Sequence, residues 1–335
     1  MNKTAKRTMA VVLAFLLTFN SLESVSAAET DETIVNDTAN AITDVTGIND
    51  VNTDIYSTKD SALVADGYEM LLDVPQSSKE AILMSDGLGE DIYFHLPQDA
   101  KNMESALTED GTLIYDDNKS DVSFGIQPLQ VTGNNQTVME GVRTTIVIDN
   151  DSAPKSYSFS YDLNDGERIV SSAEYLGKEY DTGELYIVNE ENEIMYIIDK
   201  PWAKDANGNS LNTFYTIDGN NIYQTVDFDK NTAFPVVADP SVWQITKCVG
   251  SIAWVVGTTI FAATKLVKIK KYVKELGGIK NTAQLLIGAT SVTEKSTAVA
   301  KTLLTLAATI SGIDSVYKNC KLGSAINIIK KRLGI

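Results

Sequence analysis

The side chains that could do chemistry in this 335-residue chain are limited by a single histidine, His95, and by two cysteines, Cys248 and Cys320. A Ser-His-Asp hydrolase would have to use His95, which stands between Phe94 and Leu96 in an apolar run, and no Gly-x-Ser-x-Gly element accompanies it. A zinc site built from His and Cys is excluded by the same scarcity. Neither a Gly-x-x-x-x-Gly-Lys phosphate loop nor a dinucleotide fingerprint is present. Carboxylates are abundant, so their proximity in sequence does not identify a glycosidase pair, which is defined by separation in space. Asp149-Asn150-Asp151 and Asp205-Ala206-Asn207-Gly208-Asn209 offer clustered oxygens to calcium, but the second lacks the spacing and distal Glu of an EF-hand loop. Turns held by Asp and Asn side chains account for both. The inventory favours a non-enzymatic protein with no cofactor, calcium being the one ion for which ligands are on offer.

Cysteine chemistry depends on compartment. Lys3, Lys6 and Arg7 precede an uncharged run from Met9 to Phe19, and Val25-Ser26-Ala27-Ala28 then supplies small residues. This pattern predicts a signal peptide over residues 1–28, cleaved after Ala27 or Ala28. The apolar run falls short of the ~20 residues that span a bilayer. Export implies an oxidising environment, in which a Cys248–Cys320 disulfide closes a long loop and contributes about 4 kcal/mol in the chain-entropy view. Two reduced, buried cysteines are the alternative.

Charge divides the chain more sharply than its net −17 suggests. From Ser241 to Ile335 there are 14 Lys and Arg against Glu275, Glu294 and Asp314, a net +11, while the preceding residues carry −28. Opposite signs on adjacent segments attract within about a Debye length, roughly 8 Å at physiological salt, so contact between the two parts is expected.

The elements that must position these residues fall in order. Residues 29–60 are acidic, have no Lys or Arg before Lys59 and no aromatic before Tyr56, and read as a disordered leader. From 61 to 240, short β-branched and aromatic runs such as Asp91 to Leu96, Val122 to Ile126 (ending near Pro128), Thr144 to Ile148 and Tyr157 to Leu163 alternate with Gly, Asn and Asp. They predict an antiparallel, sandwich-like β domain. Hairpins are expected around Asn189-Glu190-Glu191-Asn192 and Asp218-Gly219-Asn220-Asn221. Tyr157, Phe159 and Tyr161 should point into a core, with Ser156, Ser158 and Ser160 outward.

Pro201-Trp202-Ala203, Asp205-Ala206-Asn207-Gly208, Gln224-Thr225-Val226-Asp227 and Phe234-Pro235-Val236-Val237-Ala238-Asp239-Pro240 together resemble the end of a β-rich module in uncharacterised secreted proteins of Gram-positive bacteria. The likeness covers roughly Asp149 to Pro240. It implies a boundary near Pro240 followed by a variable segment, and carries no activity, cofactor or catalytic residue.

After Pro240 the period becomes helical. Seventeen uncharged residues separate Lys247 from Lys265, and Leu266, Ile269, Val273 and Leu276 then form one stripe that ends at Gly277-Gly278. Further helices are expected over Thr282 to Ala289, from about Thr293 to Gly312, and through Cys320. The whole is thus an α+β protein of two domains, a β sandwich and a small all-α bundle over 241–335. The disulfide would tie the first helix of that bundle to its last. Trp254, Phe261, Lys265, Lys268, Lys271 and Lys274 are the candidates to face a membrane or protein partner. One reading is a secreted antibacterial effector; another is a cell-surface binding module whose helices anchor or stabilise it, the run after Cys248 acting as a span. An ordinary soluble helical domain is the third. Nucleic acid is not an expected partner, because the aromatics form no stacking motif and the attached domain is acidic.

Overall fold

The structure, a computed structural model, describes residues 23–67, 70–85, 91–117, 119–133, 136–244, 247–258, 261–288 and 297–334. Most of the expected signal peptide and the expected start of a helix near Thr293 lie outside these residues.

The chain opens with helix α1 (Glu23–Thr46). Strands β1 (Ile55–Tyr56), β2 (Ser61–Asp66), β3 (Leu71–Pro75), β4 (Ile82–Ser85), β5 (Asp91–His95), β6 (Glu104–Leu107) and β7 (Leu113–Asp116) follow. Two long strands, β8 (Val122–Gly133) and β9 (Gln136–Ile148), lead to β10 (Ser156–Asp162), β11 (Arg168–Ser171) and a short helix α2 (Ser172–Leu176). The rest of the β region is β12 (Leu185–Val188), β13 (Ile194–Ile198), β14 (Trp202–Lys204), β15 (Thr213–Asp218), β16 (Asn221–Val226), β17 (Val236–Asp239) and β18 (Ser241–Gln244). Helices α3 (Lys247–Gly257), α4 (Ala263–Glu275), α5 (Ile279–Ile287), α6 (Thr297–Ile310), α7 (Asp314–Asn319) and α8 (Leu322–Leu333) complete the chain.

The strands make two antiparallel sheets. One has the order β1-β2-β3-β4-β5-β10-β16-β15; the other runs β11-β12-β13-β18-β9-β8-β7-β6, with β17 beside β9 and β14 beside β17. Their facing sides form one core in which Phe94, Phe124, Tyr157, Phe159 and Tyr161 are buried. Ser158 and Ser160 turn outward from β10, as the alternation requires. Both expected hairpins form, with Val188 opposite Ile194 and Asp218 opposite Asn221. Gly219 supplies the positive φ, 56°, that the tighter turn needs.

Three elements differ from the sequence reading. Residues 29–60 are not a featureless leader: α1 lays Ala39 and Ile42 on Ile114, Val147 and Val237 of the second sheet. Val35, Thr38, Ala39, Ile42 and Val45 recur at helical spacing, so one face is buried although Asp, Asn and Thr fill the rest. Gly125 lies beneath it, where an added Cβ would sit 2.5 Å from Ile42 Cδ1. Strand β8 does not stop near Pro128, because β7 pairs with it only to Ile126 and the chain at 50–52 borders it beyond. There the Asn52 N–H donates to Pro128 O at 2.8 Å, so the proline stands beyond the end of the β7 ladder while its pairing with β9 continues. The boundary at 240 also moves, since β18 continues along β9 and pairs with β13 before α3 begins.

The quoted sequence elements meet at one corner. Trp202 of β14 stands opposite Asp239 of β17, and Gln224 Nε2 donates to Trp202 O at 3.4 Å. Asp205 Oδ1 accepts the N–H groups of Asn207 and Asn209 at 3.0 and 2.8 Å, so this carboxylate holds a turn.

Candidate functional site: the cationic helical layer and its seam

The strands under the helices are buried on both faces. Leu185 and Ile187 of β12, Ile198 of β13 and Val242 of β18 point to the inter-sheet core. Their neighbours Tyr186, Val188, Ile197 and Trp243 point the other way and share a second core with Val249, Ile252, Ile269, Ile279 and Leu303 of the helices. The apolar stripe of α4 is used here, with Ile269, Val273 and Leu276 buried. The helices are therefore a third layer over the sandwich, and their burial against the sheet stabilises each fully covered Ile or Leu by about 2 kcal/mol.

Charged groups are built into this seam. Glu184 is 3% exposed, and its Oε2 accepts from Tyr186 OH at 2.8 Å, Thr182 Oγ1 at 2.9 Å and the Ile279 N–H at 3.2 Å. Ile279 is the first residue of α5, so a carboxylate of the sandwich occupies the positive end of a helix from the next layer. The approach needs glycine at 278, where φ is 109° and an added Cβ would collide with the Glu184 carboxylate. Burial pushes the Glu184 carboxyl above its ordinary value, and the hydrogen bonds from Tyr186, Thr182 and Ile279 pull the other way.

Beside it, Asp199 accepts from Trp243 Nε1 at 2.8 Å and pairs with the Lys280 ammonium. That ammonium also lies 4.2 Å from the Trp243 ring centroid. Lys270 Nζ donates to Leu176 O at 2.9 Å and Lys274 Nζ to Glu179 O at 2.7 Å, both acceptors in the sandwich. A polar belt continues from the seam toward α1: Arg143 Nη2 is 2.7 Å from Asp50 and its Nε is 3.4 Å from Asp239. Burial raises Asp239 to about 6, against the opposing pull of Arg143.

The two cysteines form a disulfide between buried positions, joining α3 to the residue that ends α7. It does not reach the last helix as expected, because α8 follows Cys320. The apolar run after Cys248 does not form one long helix either: α3 ends at Gly257, and no described helix is long and apolar enough to cross a membrane.

Of the six residues expected to face outward, Trp254 is 44% exposed and meets Phe261 edge-on at 6.2 Å. Lys265 Nζ lies 4.9 Å from the Phe261 centroid. Lys268 and Lys271 are exposed, the latter 3.9 Å from Glu275. Lys274 is exposed as well, and its Nζ donates to the Glu179 carbonyl at the surface. Sequence reasoning missed Lys270, Lys280, Glu184, Asp199 and Trp243 as a cluster, because they are up to 96 residues apart.

His95 Nε2 lies 3.1 Å from Asp162 on the open side of the first sheet. The hydroxyl of Ser160, opposite His95 in register, donates instead to Asn221 Oδ1 at 2.7 Å. A flat, exposed strand pair gives such a dyad no enclosed substrate site. Asp149 is raised to about 6 by burial, with Asp116 and Asp121 adding repulsion; no group of three or more metal-ligating side chains is assembled among the described residues.

The fold and the seam define a layered α+β protein in which an acidic sandwich carries a cationic helical layer. No family model, curated protein or solved structure matches the chain.

Proposed function

We propose that this is an exported, non-enzymatic protein whose sandwich presents the helical layer to an anionic membrane surface. The observation that carries this reading is the division of labour among the lysines. Lys270, Lys274 and Lys280 are held by the sandwich, whereas Lys268 and Lys271 are exposed on α4, the helix whose Lys265 lies over Phe261, the ring partner of the exposed Trp254. Because the apolar stripes are occupied in the seam, binding is peripheral and electrostatic, with Trp254 seated at the headgroup level. The signal over 1–28 and the resemblance to Gram-positive secreted proteins support export, and make a neighbouring cell's envelope the natural target of an antibacterial effector.

Co-sedimentation of the full chain with vesicles of phosphatidylglycerol and phosphatidylcholine tests the reading. Binding is expected to phosphatidylglycerol-containing vesicles, to fall with salt, and to weaken at least about tenfold on Lys268→Glu with Lys271→Glu, at about 1 kcal/mol per lysine. Equal binding to pure phosphatidylcholine, or none to either, overturns it.

A second reading, in which the β part is the working surface and the helices stabilise it, is favoured by the core that the helices share with β12, β13 and β18. In that case vesicle binding is absent, and deleting the helical layer unfolds the sandwich.

A further inference from the structure

The second sheet is covered on both sides; the first is buried at every position from Ser61 to Ala65 of β2, but over β3, β5 and β10 its outward positions are half-buried or exposed, and that side has a distinct chemistry. Alternation and register place Tyr56, Val64, Asp73, Leu83, Tyr93 and Asp162 in one row across six strands of that side. A second row carries Ser156, Thr225 and Phe214. Asp66, Asp91 and Asp218 also stand on outward positions of these strands, and no Lys or Arg does among the described residues. The side is therefore acidic, with His95 alone as a titratable base, and that ring is occupied by Asp162.

Exposed large apolar side chains concentrate on this side and on the opposite layer. Tyr56, Tyr93 and Phe214 are 52%, 40% and 47% exposed on the open sheet, and Trp254, Val267 and Tyr317 are 44%, 48% and 47% exposed on the helices. The two regions are the outermost layers of the stack, with both sheets' cores between them. Each combines exposed aromatics with charge of one sign, and the signs are opposite.

We infer that the acidic open sheet of one copy binds the cationic helical layer of a second copy, head to tail. The occupant is a second copy because the chain itself supplies the complementary face, cationic and aromatic. Two unlike patches on opposite sides form a heterologous contact, which does not close as a two-fold dimer and instead propagates as a row of molecules. The net charge of −17 repels copies at long range, so the local attraction acts where screening confines fields to about 8 Å, at about 0.15 M salt. This inference goes beyond membrane binding and shares only the helical face with it.

Sedimentation velocity of the full chain tests it. At about 0.15 M salt, the weight-average mass is expected to rise with concentration up to about 0.1 mM and to return to that of one chain at about 1 M salt. Asp73→Lys with Asp162→Lys should leave a single chain at every concentration while binding phosphatidylglycerol vesicles at least as well as the unaltered chain does; vesicle results therefore report on the other proposal separately. Lys268→Glu with Lys271→Glu should also give single chains, and mixing the two charge-altered chains should restore association. A single-chain mass for the unaltered protein throughout, association unaffected by Asp73→Lys with Asp162→Lys, or no restoration on mixing would overturn the inference.

Discussion

The two covers on the outer side of the second sheet are built differently. Helix α1 rests on Ile114, Val147 and Val237 with Ala39 and Ile42 buried, and Thr43 Oγ1 donates to Asp110 at 3.0 Å. The helical layer shares a far larger core, caps α5 with Glu184, seats three lysines on the sandwich and is closed by a disulfide. A short apolar stripe with one side-chain hydrogen bond suffices to seat α1, while charge adds position and direction to the layer. The contrast explains why the lysine-rich surface of the chain is oriented outward as a fixed face: Lys280 and Glu184 leave the layer one orientation on the sheet.

Breaking the larger cover should cost most. Cys248→Ser with Cys320→Ser is expected to destabilise the chain by about 4 kcal/mol, read as a shifted denaturant midpoint. For the smaller cover, Ile42→Ala should cost about 3 kcal/mol, because a side chain with no exposure leaves a cavity against Gly125 and Thr145. An equal loss from both would mean that α1 and the layer are seated alike.

The charge in the seam is the next test. Lys280→Met should cost about 2 kcal/mol by leaving Asp199 with Trp243 as its remaining donor, and the double variant with Asp199→Asn should recover part of that loss. Additive effects would show that the pair does not couple the layers.

How much of this was legible in the sequence differs between the two sheets. Strand β10 was readable because Tyr157, Phe159 and Tyr161 alternate with serines, the signature of one covered side. The strands under the helices lack that alternation: β12, and Val236 to Asp239 in β17, are buried at every position. Such continuous apolar runs signal cover on both sides, a reading that the sequence permitted. Glu184 gave no such signal, since Ile279, whose N–H it accepts, is brought to it only by the fold. Helix α1 was hidden by its composition, because Asp, Asn and Thr obscure a stripe that the spacing of Val35, Ile42 and Val45 still carries. The helical stop at Gly277-Gly278 was read for its backbone freedom, and the structure adds that Gly278 also clears space for Glu184.

The smallest effect expected lies outside both covers. Asp149, raised to about 6, binds its proton more tightly in the folded chain than in the unfolded one. Its contribution therefore falls as pH rises from about 4 to about 6. Asp149→Asn should stabilise the chain by about 1 kcal/mol at pH 7 and leave it unchanged near pH 4, measured by thermal melts. The opposite sign would place a compensating cation at Asp116 and Asp121.

Sorting of lysines between seam and surface is the claim on which the functional reading rests, and amine acylation followed by mass spectrometry measures it residue by residue. In the free chain, Lys270 and Lys280 should react slowly and Lys268 and Lys271 fast; phosphatidylglycerol vesicles should then protect Lys268 and Lys271 and leave the first two unchanged. Fast reaction at Lys280, or no protection of Lys268 and Lys271 on bound vesicles, would contradict the account.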